Sequence, residues 1–286
     1  MTTKNANAAT AASRTGTPRS NTLTRVLTAL VLIPLVLALV AWAPRWLFSA
    51  VVTLVAVAAL REYLALAAQS GLGPLTWFSY GATAVLVFWA PLAESPALLV
   101  LAALALAARP ARSLEKALPG AAASVLGVLY VGLPLAMLSD LRRLFDGPRW
   151  VIYVLALTWV SDTAAYFGGR AFGRHKLAPR ISPSKTWEGA VASLAVSLAF
   201  GMAYLAWMRP DMGLAWSGSI SAAVNIAGQA GDLVESAVKR GAGAKDSGSM
   251  LPGHGGLLDR IDALLFAVPA LWYILSLRVS WLLSPF

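Results

Sequence analysis

Five of the 13 acidic residues, Asp232, Glu235, Asp246, Asp259 and Asp262, fall within residues 229–262, interleaved with Lys239, Arg240, Lys245, His254 and Arg260. Charge runs are usually solvated loops. This one begins inside an apolar stretch, at Gln229-Ala230-Gly231-Asp232, and ends inside another, at Asp259-Arg260-Ile261-Asp262-Ala263-Leu264. Ionisable groups at such places are costly unless paired or bound to ions, and so point to function. Asp232, Glu235, Ser236, Lys239 and Arg240 are spaced i, i+3, i+4, i+7 and i+8, which puts them on one helical face. Asp259 and Asp262 are expected one turn apart on the following helix. Between them, Pro252-Gly253-His254-Gly255-Gly256 cannot be regular helix. Its glycines let backbone N–H groups approach a ligand, and successive N–H groups can form an anion-binding nest. Two acid-bearing helices around a basic, glycine-containing loop meet the needs of a Mg²⁺–polyphosphate site. The hard cation takes oxygen ligands and keeps water, while Lys and Arg neutralise phosphate. Neither G-x-x-x-x-G-K-[ST] nor G-x-G-x-x-G occurs in the chain.

A second cluster lies upstream. Asp162 sits inside an otherwise apolar span, and Arg170, Arg174, Lys176 and Arg180 follow it. Those four read equally well as a positive-inside loop or as phosphate contacts, and His175 as a solvated loop residue. Ile181-Ser182-Pro183-Ser184-Lys185-Thr186-Trp187-Glu188 then opens the next span. Ser184 and Glu188 resemble a helix cap. The sharper reading is a phosphate held at this helix N-terminus by Lys185.

The elements that must position these groups are membrane helices. Hydrophobic residues make up 58% of the 286 and charged residues 13%, against about 45–50% and about 25% in soluble domains. This excludes a disordered chain and disfavours an ordinary soluble globule. The absence of cysteine removes thiolate zinc sites, disulfides and cysteine nucleophiles. Two histidines, His175 and His254, rule out a histidine-rich metal site. Apolar runs place spans near 23–43, 46–62, 74–92, 95–108, 118–138, 150–169, 187–208, 213–233 and 263–283, several of them reaching the ~20 residues a bilayer requires. The fold class expected is all-α: a polytopic integral membrane protein of about nine transmembrane helices with a cytoplasm-facing polar site. The first apolar stretch exceeds a signal-peptide core, and uncleaved is the expectation. Residues 1–22 form a basic tail of disordered composition, 23–149 an N-terminal set of helices, and 150–286 the region carrying both clusters. With the tail cytoplasmic, 17 of the 23 basic residues fall on its side, as the positive-inside rule asks; the Arg142–Arg149 cluster is the misfit. No fixed-period repeat supports an inverted-repeat transporter.

Ser236-x-x-Lys239-Arg240-x4-Lys245-Asp246-x-Gly248-x3-Pro252-Gly253-His254-Gly255-Gly256-x-x-Asp259-Arg260-Ile261-Asp262 resembles the signature of the phosphatidate cytidylyltransferases, or CDP-diacylglycerol synthases. Ser161-Asp162-Thr163 and the 181–189 segment resemble another block of that family. The two blocks cover about 60 residues, and the N-terminal half contributes helices without specificity. The resemblance implies a multi-pass inner-membrane enzyme, its site facing the cytoplasm, that joins CTP and phosphatidic acid into CDP-diacylglycerol and pyrophosphate. Phosphatidate is already an anionic nucleophile, so positioning and charge neutralisation are the main demands. Asp232, Asp259 and Asp262 are the expected metal ligands, for Mg²⁺ with room for a second cation. Lys239, Arg240, Lys245 and Arg260 are expected on substrate phosphates, Ser184 and Lys185 on nucleotide phosphate or lipid headgroup, with Glu188 beside them. His254 is assigned to the leaving pyrophosphate, or to loop structure. Asp162 and Asp246 support metal or Lys. The +10 charge suits an anionic bilayer surface and anionic substrates. Nucleic acid is not an expected partner, and the reading admits a homodimer. A transporter lined by buried charge is the competing class; it accounts for Asp162 and the helix-end acids but not for the Lys-rich Pro-Gly-His-Gly-Gly segment. A cytidylyltransferase acting on another lipid phosphate is the nearer alternative.

Overall fold

A computed structural model of the chain describes residues 18–89, 95–107, 114–250 and 255–283. Helices dominate. In chain order they are α1 (Pro18–Trp42), α2 (Arg45–Gln69), α3 (Thr76–Phe88), α4 (Ser95–Ala107), α5 (Leu114–Gly127), α6 (Leu133–Leu141), α7 (Gly147–Phe172), α8 (Trp187–Met208), α9 (Leu214–Gly241), α10 (Leu258–Ile261) and α11 (Leu264–Leu283). A π-helical turn, Val128–Gly132, joins α5 to α6 without breaking the rod. Five stretches among the described residues are long and apolar enough to cross a membrane: Arg45–Gln69, Glu115–Leu141, Gly147–Phe172, Trp187–Met208 and Leu258–Leu277. The protein is thus a mostly helical, multi-pass membrane protein.

α9 is the longest helix, at 28 residues, or about 42 Å at the helical rise. Its Ser, Asn, Gln and Gly content keeps it out of that apolar set. Those residues face other helices rather than lipid, since α9 packs on α8, α11 and α7. α7 and α8 form the closest pair. Leu157, Leu205, Ile220, Val224, Leu265 and Leu271 are buried where these four helices meet. The N-terminal helices surround α5 and α6, with Leu60, Tyr63, Val128 and Val131 buried between them.

The outer surface is apolar, with Leu54, Val85, Val191 and Ile226 among the exposed residues. Exposed tryptophans cluster at helix ends: Trp42, Trp46, Trp77, Trp89, Trp187, Trp207 and Trp216. An apolar belt bordered by Trp is what the hydrocarbon core and its two interfaces select.

Three local expectations change. The 170–186 loop contains an antiparallel hairpin, β1 (Lys176–Ala178) and β2 (Ser182–Thr186), so the chain is not wholly α. Residues 18–22, read as part of the tail, are helical here, since α1 begins at Pro18; residues 1–17 lie outside the described set. Asp259 and Asp262 do not share one helix: Asp259 is in the four-residue α10 and Asp262 follows its end, before α11 begins.

Candidate active site

Small residues let the helices approach closely. A Cβ on Gly189 of α8 would stand 2.8 Å from the carbonyl oxygen of Ala165 in α7, and one on Gly231 of α9 would stand 2.6 Å from that of Asp262. Small side chains at such crossings are how membrane helices pack tightly. One end of the α7–α8–α9 group still stays open. A cavity of about 400 Å³ lies there, lined among others by Ser161, Asp162, Arg170, Ser184, Lys185 and Asp232.

Its floor is a buried polar network. The Asn225 amide Nδ2 of α9 donates to Ser161 Oγ of α7 at 2.9 Å, and to Ser193 Oγ and Ser197 Oγ of α8 at 3.0 and 2.9 Å. Gln229 Nε2 donates to Asn225 Oδ1 at 2.7 Å. With no water in the apolar core, these polar groups must satisfy one another. They thereby fix the rotation of three helices and aim the cavity residues above.

Across the cavity, Lys185 Nζ meets Asp232 Oδ2 at 2.6 Å, joining the two sequence clusters directly. Asp162 opens into the same space. Asp232 and Asp262 are close enough for each charge to act on the other, and Asp162 feels both. Two turns further along α9, Lys239 Nζ lies 2.5 Å from Glu235 Oε2 and 2.6 Å from Asp259 Oδ1. Glu235 is fully buried, so its charge depends on that ammonium. Asp259 also accepts from the Ser247 N–H at 3.1 Å and the Gly256 N–H at 2.8 Å. Asp262 Oδ1 accepts from the Ala263 N–H.

Arg240, Lys245, Asp246 and Arg260 are not among the residues that line the cavity. Arg240 is exposed and donates from Nε to the Ile181 carbonyl, tying α9 to the β-hairpin, and from Nη1 to the Ala244 carbonyl. Lys245, Asp246 and Arg260 are exposed, and Arg260 lies within electrostatic range of Asp162. His254 falls outside the described residues.

The cap expected at Ser184 is made instead by Thr186, whose Oγ1 accepts from the Gly189 N–H at 3.2 Å. Ser184 and Lys185 belong to β2, and both line the cavity. Glu188 meets His175 Nδ1 at 2.6 Å and accepts from the His175 N–H, while the His175 side chain stays solvent-exposed in its loop, as expected.

Two groups were missed from sequence. The Asn225–Gln229 network looked like ordinary helix polarity, although two amides one turn apart in a span are a legible warning. Glu62 of α2 was passed over as the end of an N-terminal span. It is buried, and accepts from Ser247 Oγ and from the N–H groups of Leu257 and Leu258. The N-terminal half therefore reaches the site.

The arrangement can hold polyanions: Arg170 and Lys185 line a cavity open at one end of the helices, together with Asp162 and Asp232. Among the described residues, no three His, Asp or Glu side chains converge as a preformed metal site. Mg²⁺ asks for less, since one or two carboxylates suffice when water and substrate phosphates complete its shell. Asp232 and Asp262, with Asp162 nearby, are all-oxygen donors of that kind and fit the ion. Asp259 already accepts from one ammonium and two amides.

Comparison with known proteins agrees with this chemistry. The chain is 45% identical over 150 residues to a phosphatidate cytidylyltransferase of Brucella suis biovar 1 (strain 1330), covering 51% of this chain and 54% of that protein. It is 40% identical over 151 residues to a phosphatidate cytidylyltransferase of Staphylococcus aureus (strain COL), covering 53% and 57% respectively. The chain thus spans about half the length of the curated relatives it matches. A family model described as the cytidylyltransferase family matches residues 23–278, nearly the whole chain, and the chain belongs to that family.

Proposed function

We propose that this chain transfers cytidylyl from CTP to phosphatidic acid, giving CDP-diacylglycerol and pyrophosphate at the cytoplasmic face of the cell's inner membrane. The observation carrying this reading is the 2.6 Å contact between Lys185 and Asp232. It brings both sequence clusters to one cavity at the end of membrane-embedded helices, where a lipid phosphate and a soluble nucleotide can meet. A phosphate oxygen of phosphatidate attacks the α-phosphorus of CTP. A new P–O–P bond forms, the α–β P–O bond breaks, and pyrophosphate leaves with its electrons. Lys185 and Arg170 of the cavity lining, with the exposed cations Arg240, Lys245 and Arg260, hold the phosphates and offset their repulsion. Ser184 donates to one of them from β2. Asp232 and Asp262 would hold Mg²⁺, with Asp162 as the oxygen donor for a second cation; when bound, the ion withdraws charge from the phosphates. Asp259, held by the loop amides, carries Lys239 toward the same phosphates.

The topology supporting this reading has nine crossings with a cytoplasmic N-terminus. Alternating passage then puts the β-hairpin and the 242–257 segment on the basic-rich side. Purified protein in detergent, given CTP and phosphatidate without any gradient, should release pyrophosphate with incorporation of labelled cytidylyl into lipid. A panel of lipid phosphates would show which headgroup is taken. No turnover with any of them would leave the transporter reading.

A further inference from the structure

Glu62 is the only contribution of α2 to the motif region among the described hydrogen bonds, and it crosses 185 to 196 residues of sequence to make it. Its Oε2 accepts from Ser247 Oγ at 2.9 Å and the Leu258 N–H at 2.8 Å; its Oε1 accepts from the Leu257 N–H at 3.0 Å. The side chain is 6% exposed. The surrounding backbone is built to admit it, because a Cβ on Gly248 would lie 2.6 Å from Glu62 Oε1, and one on Gly256 would lie 2.5 Å from Oε2. Asp259 binds the same segment from the other side, through the N–H groups of Ser247 and Gly256. Ser247 therefore gives its hydroxyl to one acid and its amide to the other.

We infer that Glu62 is a positioning residue: it seats Ser247, Gly248 and residues 256–258 so that Asp259, and through it Lys239, face the reacting phosphates. This rests on the cytidylyltransferase reading above. A buried carboxylate with three donors has no substitute in the apolar interior, and a neutral amide would place N–H against the Leu257 N–H. A helix-to-helix clamp with no tie to the chemistry would lower stability and leave turnover of the folded fraction intact. A positioning residue lowers turnover while substrates still bind.

The experiment measures pyrophosphate release by wild type, Glu62→Gln, Ser247→Ala, the double variant and the exposed control Glu115→Gln, each purified in detergent and corrected for folded fraction by circular dichroism. Wild type must turn over CTP with phosphatidate; if it does not, the functional reading fails, and Glu62 with it. Given wild-type turnover, Glu62→Gln should lower kcat roughly ten- to a hundredfold, the scale of a small misplacement, with KM for each substrate changed less than about threefold. Ser247→Ala should lower kcat by a smaller factor, and its effect should largely disappear in the Glu62→Gln background, as coupled neighbours require. Glu115→Gln should match wild type. Wild-type kcat in folded Glu62→Gln overturns the inference and leaves the functional reading intact. If Glu62→Gln does not fold, Ser247→Ala decides: unchanged kcat overturns the inference, and reduced kcat at unchanged KM supports it.

Discussion

Lys185 and Asp232 face each other across the cavity, one on β2 and one on α9. They should behave as a unit. Asp232→Asn keeps the size of the side chain, removes its charge, and takes a donor from the proposed ion. Turnover should fall by about 10²–10³, as when one electrostatic contact is removed from a reaction centre, with little change in thermal stability. Near-normal pyrophosphate release from that variant would remove Asp232 from the chemistry. Lys185→Met should raise KM for one substrate far more than for the other, because a single ammonium touches one phosphate group at a time. Small, equal changes in both would make Lys185 an ordinary cytoplasmic cation. The acids and bases themselves were legible in sequence, since a charge inside an apolar stretch is costly and persists where the protein uses it. Their pairing was not: i, i+4 spacing suggests Glu235 with Lys239, but nothing local says that Lys239 also reaches Asp259, 20 residues on.

Helix contacts set the distances between those groups. Gly231 lies where α9 crosses the start of α11, and any Cβ there presses on the Asp262 carbonyl and on Phe266. Gly231→Ala should therefore push Asp232 away from Asp262 and reduce turnover about tenfold or more, although alanine is the better helix former. Activity equal to wild type would show that the crossing tolerates the shift. Asn225 is the matching case in the cavity floor. Asn225→Leu removes the amide whose two N–H donors are shared among three hydroxyls of α7 and α8, each such bond worth about 0.6–2 kcal/mol between membrane helices. The thermal midpoint in detergent should drop clearly, and a midpoint within error of wild type would mean the network contributes nothing. At this scale hydropathy placed the helices well, because lipid rewards long apolar runs. It could not foresee the β-hairpin or the break between α10 and α11. The hairpin arises where the chain leaves lipid and backbone polar groups have partners to choose from, and the break falls where the Ala263 N–H donates to the Asp262 side chain.

For the proposed cytidylyl transfer, the whole molecule must present its cavity to the compartment that holds CTP. The chain has no cysteine, so single cysteines report topology directly. Ala242→Cys, past the end of α9, should resist a membrane-impermeant thiol reagent in intact cells and react once they are opened. Phe145→Cys, at an 84% exposed position between α6 and α7, should react from outside. Labelling of Ala242→Cys in intact cells would invert the topology and separate the site from its nucleotide. Composition, hydropathy and the positive-inside bias needed only the sequence, because they express solvent preference residue by residue. So did the two motif blocks, whose polar residues recur in fixed order along the chain. The tertiary structure alone decided that Lys185 reaches Asp232, that Asn225 gathers three serines, and that Glu62 of the N-terminal half holds a segment nearly 200 residues away. Such contacts depend on which helix faces pack together. That is settled by steric fit at small residues and by polar groups satisfying one another where water is absent, and local sequence does not say which partner each will meet.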